Sequence, residues 1–199
     1  MASILVPPAV ESIEPADRLF TTADLPLFPT DLPSGPVDYE LNDGRLTVMA
    51  PPGQHHSYVQ LEIGTEFKLQ GQRRGYGRAY TEVGVVLSRN PDNVLGPDVA
   101  FVGKSKLPVR ESTEGYLETI PDLVVEVRSK NDSAQYVTKK VAKYLAAGVG
   151  MVWVADGNAK TIVVHRPGCE PRTYGATDTL ELDDPIPGFR LNVAAVFVE

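Results

Sequence analysis

The hydrophobic positions of this chain change period along its length, and each change marks an element. Residues 121–156 show it most clearly: an apolar run over 123–127, helical spacing over 132–147, and a second apolar run over 151–154. The two runs read as strands buried on both faces. Between them Val137, Val141, Tyr144 and Leu145 share one face of a helix that starts at an Asn/Asp/Ser cluster and stops at Gly148. Strand, crossover helix and strand predict a right-handed parallel unit, with the end of the first strand beside the start of the helix. Ligands gather at such an edge.

The flanking segments fill in around this unit. Residues 37–49 hold two short alternating runs around Asn42-Asp43-Gly44, which predicts a hairpin with Glu40 out of step with Tyr39 and Leu41. Residues 55–72 read as a helix with Val59, Ile63, Phe67 and Gln70 on one stripe; His56 falls on that stripe and Glu62 on its shoulder. Residues 78–87 read as one strand, 88–96 as a turn-rich segment, 97–102 as a short apolar strand and 104–119 as a polar connector. Residues 161–166 and 171–175 predict a hairpin, 179–182 a further strand, and the apolar end from Phe189 should pack back on the core. Residues 1–17 lack periodicity and read as a mobile arm, followed by a proline-rich stretch with one short helical turn over 21–27.

Composition narrows the function classes. At 199 residues and 42% hydrophobic, the chain suits one buried core, so a single domain is expected over 18–199. The single cysteine, Cys169, excludes an intrachain disulfide and fits a reducing compartment. No run approaches a membrane span, and prolines interrupt the N-terminal stretch where a signal core would lie; a soluble cytoplasmic protein is the expectation. A net charge of -7 argues against nonspecific nucleic-acid binding by the whole surface, so any such contact must be local. Candidate basic groups are Arg73/Arg74/Arg78, Lys104/Lys106/Arg110 and Arg128/Lys130/Lys139/Lys140/Lys143; each also reads as a solvated face.

Two carboxylates change the picture. Glu126 sits inside the first apolar run, where a lone charge is costly unless a cation meets it. Asp98 opens the short strand PDVAFV and reads either as a turn residue bonding its own backbone or as a partner of Glu126. Paired strands lie ~4.8 Å apart, close enough for the two to share one divalent cation, Mg²⁺ or Mn²⁺. Such a pair plus a lysine suits phosphodiester hydrolysis. On the helical projection Lys139 and Lys143 point away from the apolar stripe, whereas Lys140 lies at its edge and can lean toward the sheet; it also reads as a snorkelling lysine. His56 reads equally as a helix-start histidine satisfied by one hydrogen bond and as a residue near the site.

The order of YELNDGRL, His56 opening a helix, GPDVAFV, PDLVVEVRS, a helix with KxxxY, AAGV and MVWVAD resembles the Uma family of restriction endonuclease-like proteins in the PD-(D/E)XK superfamily, over about residues 18–197. The resemblance implies an α/β fold: a restriction endonuclease-like core with a mixed sheet, flanking helices and extra N- and C-terminal β-hairpins. It implies the superfamily's aspartate at Asp98 and its acidic residue at Glu126. Glu40 would complete the acidic cluster as a third catalytic and metal-binding carboxylate, and Lys140 would be the lysine moved to the helix. The chain departs from the general pattern at Arg128, which replaces the lysine two residues after the acid, is always charged and transfers protons poorly. It departs also in EVRSKND, which lacks a proline after the serine, and at Tyr136, where an acidic residue is common. The expected activity is Mg²⁺- or Mn²⁺-dependent cleavage of DNA, with His56 and Arg128 as accessory residues and a homodimer as the form that cuts both strands. The alternative is a noncatalytic nucleic-acid- or protein-binding module on the same fold, favoured by the acidic charge and the missing strand lysine.

Overall fold

The computed structural model describes residues 18–109, 115–129 and 132–197. The arm expected over 1–17, and Arg110 and Lys130 of the basic groups, lie outside them. In chain order, a 3-10 turn (Leu25–Leu27) falls where the short helical turn was expected and leads to a two-residue ladder of β1 (Asp31–Leu32) and β2 (Gly35–Pro36). The Asn-Asp-Gly hairpin is β3 (Asp38–Asn42) and β4 (Arg45–Met49); Asp43 and Gly44 both have positive φ, 52° and 73°, as a two-residue turn matched to strand twist requires. Then come α1 (Gln54–Glu66), continued by a π-helical segment (Phe67–Gln72), β5 (Gly77–Thr81), β6 (Val85–Ser88), β7 (Asn93–Leu95) and β8 (Val99–Gly103). After a 3-10 turn at Lys104–Lys106 follow β9 (Leu123–Arg128), α2 (Ala134–Ala146), β10 (Met151–Asp156), β11 (Thr161–His165), β12 (Arg172–Tyr174), β13 (Thr179–Leu182), β14 (Phe189–Asn192) and α3 (Val193–Val196).

The central sheet has six strands in the order β12-β11-β10-β9-β8-β5. Its β9–β10 pair is parallel, joined through α2, and the others are antiparallel, which makes the sheet mixed. Side chains alternate across β9, so both faces are buried. Val125 and Val127, with Phe101 and Trp153, pack against Val59, Ile63 and Phe67 of α1 and against the β13–β14 hairpin. Val124, with Ala100 and Val152, packs against Val141 and Tyr144 of α2. A second sheet, β4-β3-β7-β6, carries the N-terminal hairpin and lies over the α2 side through Val85 and Leu95. α2 starts where the Asp/Ser cluster places it: the Ser133 side chain accepts a hydrogen bond from the Tyr136 N–H, capping the helix.

The structure corrects two expectations. Residues 78–87 do not form one strand; β5 and β6 belong to different sheets. The break falls at Glu82, whose φ is 51°, and at Gly84, which the Tyr116 ring approaches too closely to admit a Cβ. Residues 88–96 are not all turn, because buried β7 lies within them and pairs with both β3 and β6. Three residues are too few to show a period. Among the described residues no helix is long and apolar enough to cross a membrane.

Candidate active site

Antiparallel pairing aligns Val99 with Val125 and Ala100 with Val124. One more step of that register sets Asp98 opposite Glu126, at the end of β9 that abuts the start of α2. Asp98 does not bond its own backbone through its side chain; it reaches across to two other elements. Oδ2 accepts from the Val127 N–H at 2.6 Å, and Oδ1 lies 2.8 Å from His56 Nε2. His56, in the first turn of α1, sets its other nitrogen 3.2 Å from Ser129 Oγ. Burial pulls the His56 pKa down. The hydrogen bond and charge of Asp98, with the charges of Glu126 and Asp132, outweigh it and raise the pKa above its ordinary value.

Glu126 points to the α2 face. Its Oε1 accepts from the Tyr144 hydroxyl at 2.6 Å and its Oε2 lies 2.9 Å from Lys140 Nζ. Burial pushes the Glu126 carboxyl up and Lys140 pulls it back; the charges of Asp98 and Glu40 add to the rise, and the pKa stands at about 7. Lys140 does lean from the edge of the apolar stripe onto the sheet, with its side chain 8% exposed. Its ammonium is also 3.1 Å from Glu40 Oε1, and that same oxygen accepts from the Gly96 N–H at 2.9 Å. Burial alone would lower the Lys140 pKa, but Glu126 and Glu40 raise it well above the ordinary value, so the ammonium keeps its charge. With every group ionised, three carboxylates face one ammonium and one imidazolium. The cluster then carries one negative charge in excess.

Glu40 does not join Asp98 and Glu126 as a third wall of one carboxylate cage. The Lys140 ammonium bridges Glu40 and Glu126, and no three His, Cys, Asp or Glu side chains among the described residues group as a metal site. Arg128, at the strand-lysine position, spends its guanidinium on Asp156 at 2.9 Å and on the Asp132 carbonyl. Lys143 does point away from the apolar stripe, yet it is not merely solvated. It bonds Asp43 and Asn93 at 3.0 and 2.7 Å, and so fastens α2 to the N-terminal hairpin.

Two tyrosines of this site were not singled out as functional in the sequence. Tyr144 entered as a stripe residue and as the tyrosine of the KxxxY motif, without a role for its hydroxyl. The available signal was its position four residues after Lys140, since a buried tyrosine hydroxyl needs a partner. Tyr136 lines a small cavity with Glu126, Arg128, Asp132 and Lys140. Its hydroxyl and Glu40 Oε2 are both buried without a hydrogen-bond partner, and both residues neighbour the Lys140 ammonium. Beside this cavity, and sharing Arg128 as a wall, an apolar groove of about 560 Å³ runs between Val137, Val141 and Leu145 of α2 and Val154, Val163 and His165 of the sheet.

Residues 27–194 match the Uma2 family, described as "Putative restriction endonuclease". The chain belongs to the Uma2 family. All of Glu40, His56, Asp98, Glu126 and Lys140 lie inside the matched stretch. The fold is also similar to the crystal structure of a "putative nuclease belonging to DUF820" from Anabaena variabilis ATCC 29413, with TM-score 0.74 and 21% identity, covering 89% of this chain and 97% of that one. This likeness makes the fold of the Uma2 chain nuclease-like. No curated protein matches it.

Tyr144→Phe tests the support of Glu126. Losing a hydrogen bond to a charged acceptor costs about 1.5–3 kcal/mol. The Glu126 carboxyl should then titrate above its present value of about 7, read by carboxyl-carbon NMR. An unchanged titration would show that the tyrosine does not hold the carboxylate.

Proposed function

We propose that this chain is a metal-dependent nuclease that hydrolyses the phosphodiester bonds of DNA. The observation that carries the reading is the opposition of Asp98 and Glu126 on neighbouring strands, with a buried ammonium, Lys140, 2.9 Å from Glu126. The family description points to DNA as the substrate. The donor set fits a hard dication: Asp98 and Glu126 offer only carboxylate oxygens, and with every group ionised the cluster around them carries one negative charge in excess. Asp98 and Glu126 would hold Mg²⁺ or Mn²⁺ and leave the remaining positions to water and phosphate, as Mg²⁺ prefers. Such an ion, when bound, polarises the phosphate and lowers the pKa of water.

The chain's own residues do the rest. His56 and the Val127 N–H each fix one oxygen of Asp98, and Tyr144 fixes one of Glu126. Lys140 keeps its charge, so it serves as an electrostatic partner for charge developing on the phosphate and not as a proton acceptor. Arg128 does not replace it in that role, because Asp156 already neutralises its guanidinium.

Calorimetry with Mn²⁺ tests the metal site. Binding needs the carboxylate form of Glu126, whose carboxyl holds its proton up to about pH 7. Below that value the ion must displace the proton, so affinity should climb with pH, with proton release, and level off above neutrality. Absence of binding at millimolar metal would remove the basis of the reading.

A further inference from the structure

We infer that Glu40 is a positioning residue for Lys140 and not a ligand of the metal, so that the N-terminal hairpin supplies the counter-charge that lets the lysine act from a helix. The inference rests on the nuclease reading for its catalytic meaning, but its geometry stands by itself. Glu40 is 4% exposed, on β3, outside the six-stranded sheet that carries the opposed carboxylates. One of its oxygens does two jobs, accepting from the Lys140 ammonium at 3.1 Å and from the Gly96 N–H at 2.9 Å.

Each contact has a consequence. Gly96 stands two residues before Asp98, and Leu41, next to Glu40, pairs with Val94 on the strand that leads there. A single carboxylate therefore holds both the lysine and the segment that delivers Asp98. A lysine two residues after the acid on a strand is placed by the strand itself, whereas Lys140 reaches the site from α2 on a flexible four-carbon stem and needs an external anchor. Glu126 alone is a poor anchor, because a metal would compete with the ammonium for the same carboxylate. Glu40 gives Lys140 a partner that remains when Glu126 turns to an ion. The two carboxylates also fix the ammonium between them, where one would draw it down onto Glu126.

The test compares Glu40→Gln and Glu40→Ala with Glu126→Gln in the full chain. Calorimetry with Mn²⁺ should find metal affinity in Glu40→Gln within about threefold of wild type, a change worth under 1 kcal/mol, while Glu126→Gln loses it. Lys140 should become more reactive toward an amine-acylating reagent, read by mass spectrometry of its peptide. The rise should be at least tenfold in Glu40→Ala, since losing a buried carboxylate partner exceeds the ~1.4 kcal/mol that tenfold represents. It should be smaller in Glu40→Gln, whose carbonyl still accepts from Lys140 and Gly96. Turnover of DNA should fall in kcat with KM held, more in Ala than in Gln. If Glu40→Gln weakens Mn²⁺ binding as much as Glu126→Gln, Glu40 is a ligand and the inference is overturned; unaltered Lys140 labelling in both Glu40 variants overturns it as well. Should Glu40→Ala not fold, the near-isosteric Gln variant decides by calorimetry and labelling. Neither readout needs turnover, so an inactive wild type would sink the nuclease reading and leave the Glu40–Lys140 assignment to be judged separately.

Discussion

Lys140→Met should melt about 10 °C below the wild type at pH 8, and much closer to it at pH 5. Removing one partner of a buried ionic set costs about 3–5 kcal/mol, and each kcal/mol shifts the melting point of a chain this size by about 2–4 °C. The side chain is 8% exposed and its ammonium neutralises two buried carboxylates, so its loss leaves Glu126 and Glu40 facing each other and Asp98. The sign follows from linkage. Glu126 already has a raised pKa, and without the ammonium it rises further. A carboxyl raised on folding favours the native state below its unfolded value of about 4.5 and forfeits that contribution as pH climbs through the folded value. The penalty therefore belongs to the alkaline side and fades on acidification. Scanning calorimetry at the two pH values checks it, and Mn²⁺ should restore part of the loss at pH 8. Equal small shifts at both pH values would mean that Lys140 merely covers apolar surface.

Asp98→Asn should lower Mn²⁺ affinity by at least about 100-fold, since even residues that only orient metal ligands change affinity by about 10–100-fold. The amide can still accept from the Val127 N–H through its oxygen, so the fold should survive. The change has a second signature at His56. With the anion gone, burial, the largest single influence on that imidazole, loses its main opponent, and the pKa should drop from above the ordinary 6.5 toward or below it. Histidine NMR titration reads this independently of metal. Retained metal affinity, with His56 titrating as in the wild type, would remove Asp98 from the site.

What could be read from the sequence was local or periodic. The β9–α2–β10 unit showed in two apolar runs and one helical stripe, and the helical projection picked Lys140 over its neighbours because orientation around a helix depends only on spacing. The Asn42-Asp43-Gly44 hairpin showed because its turn needs positive φ at two residues. What could not be read depends on which distant groups meet. Glu40 and Lys140 are 100 residues apart and His56 and Ser129 are 73 apart, and no periodicity records such a pairing. Asp98 could be paired with Glu126 only on the condition that their strands were neighbours, which the β8–β9 register supplies. Tyr144 satisfied the helical stripe so well that its hydroxyl drew no attention. The break at Glu82 and Gly84 escaped because Tyr80 and Thr81 before it and Val83, Val85 and Val86 around it all suit a strand, and the cause, the Tyr116 ring against Gly84, comes from a segment far along the chain.

The most direct test of the nuclease reading is cleavage of supercoiled and single-stranded DNA with Mg²⁺ or Mn²⁺, comparing the wild type with Asp98→Asn purified in parallel to control for contaminating nuclease. Metal-dependent cleavage by the wild type, absent with chelator and absent in the variant, is the expected result. Equal cleavage by both proteins, or none by either, would contradict it and favour a binding role on a nuclease-like fold.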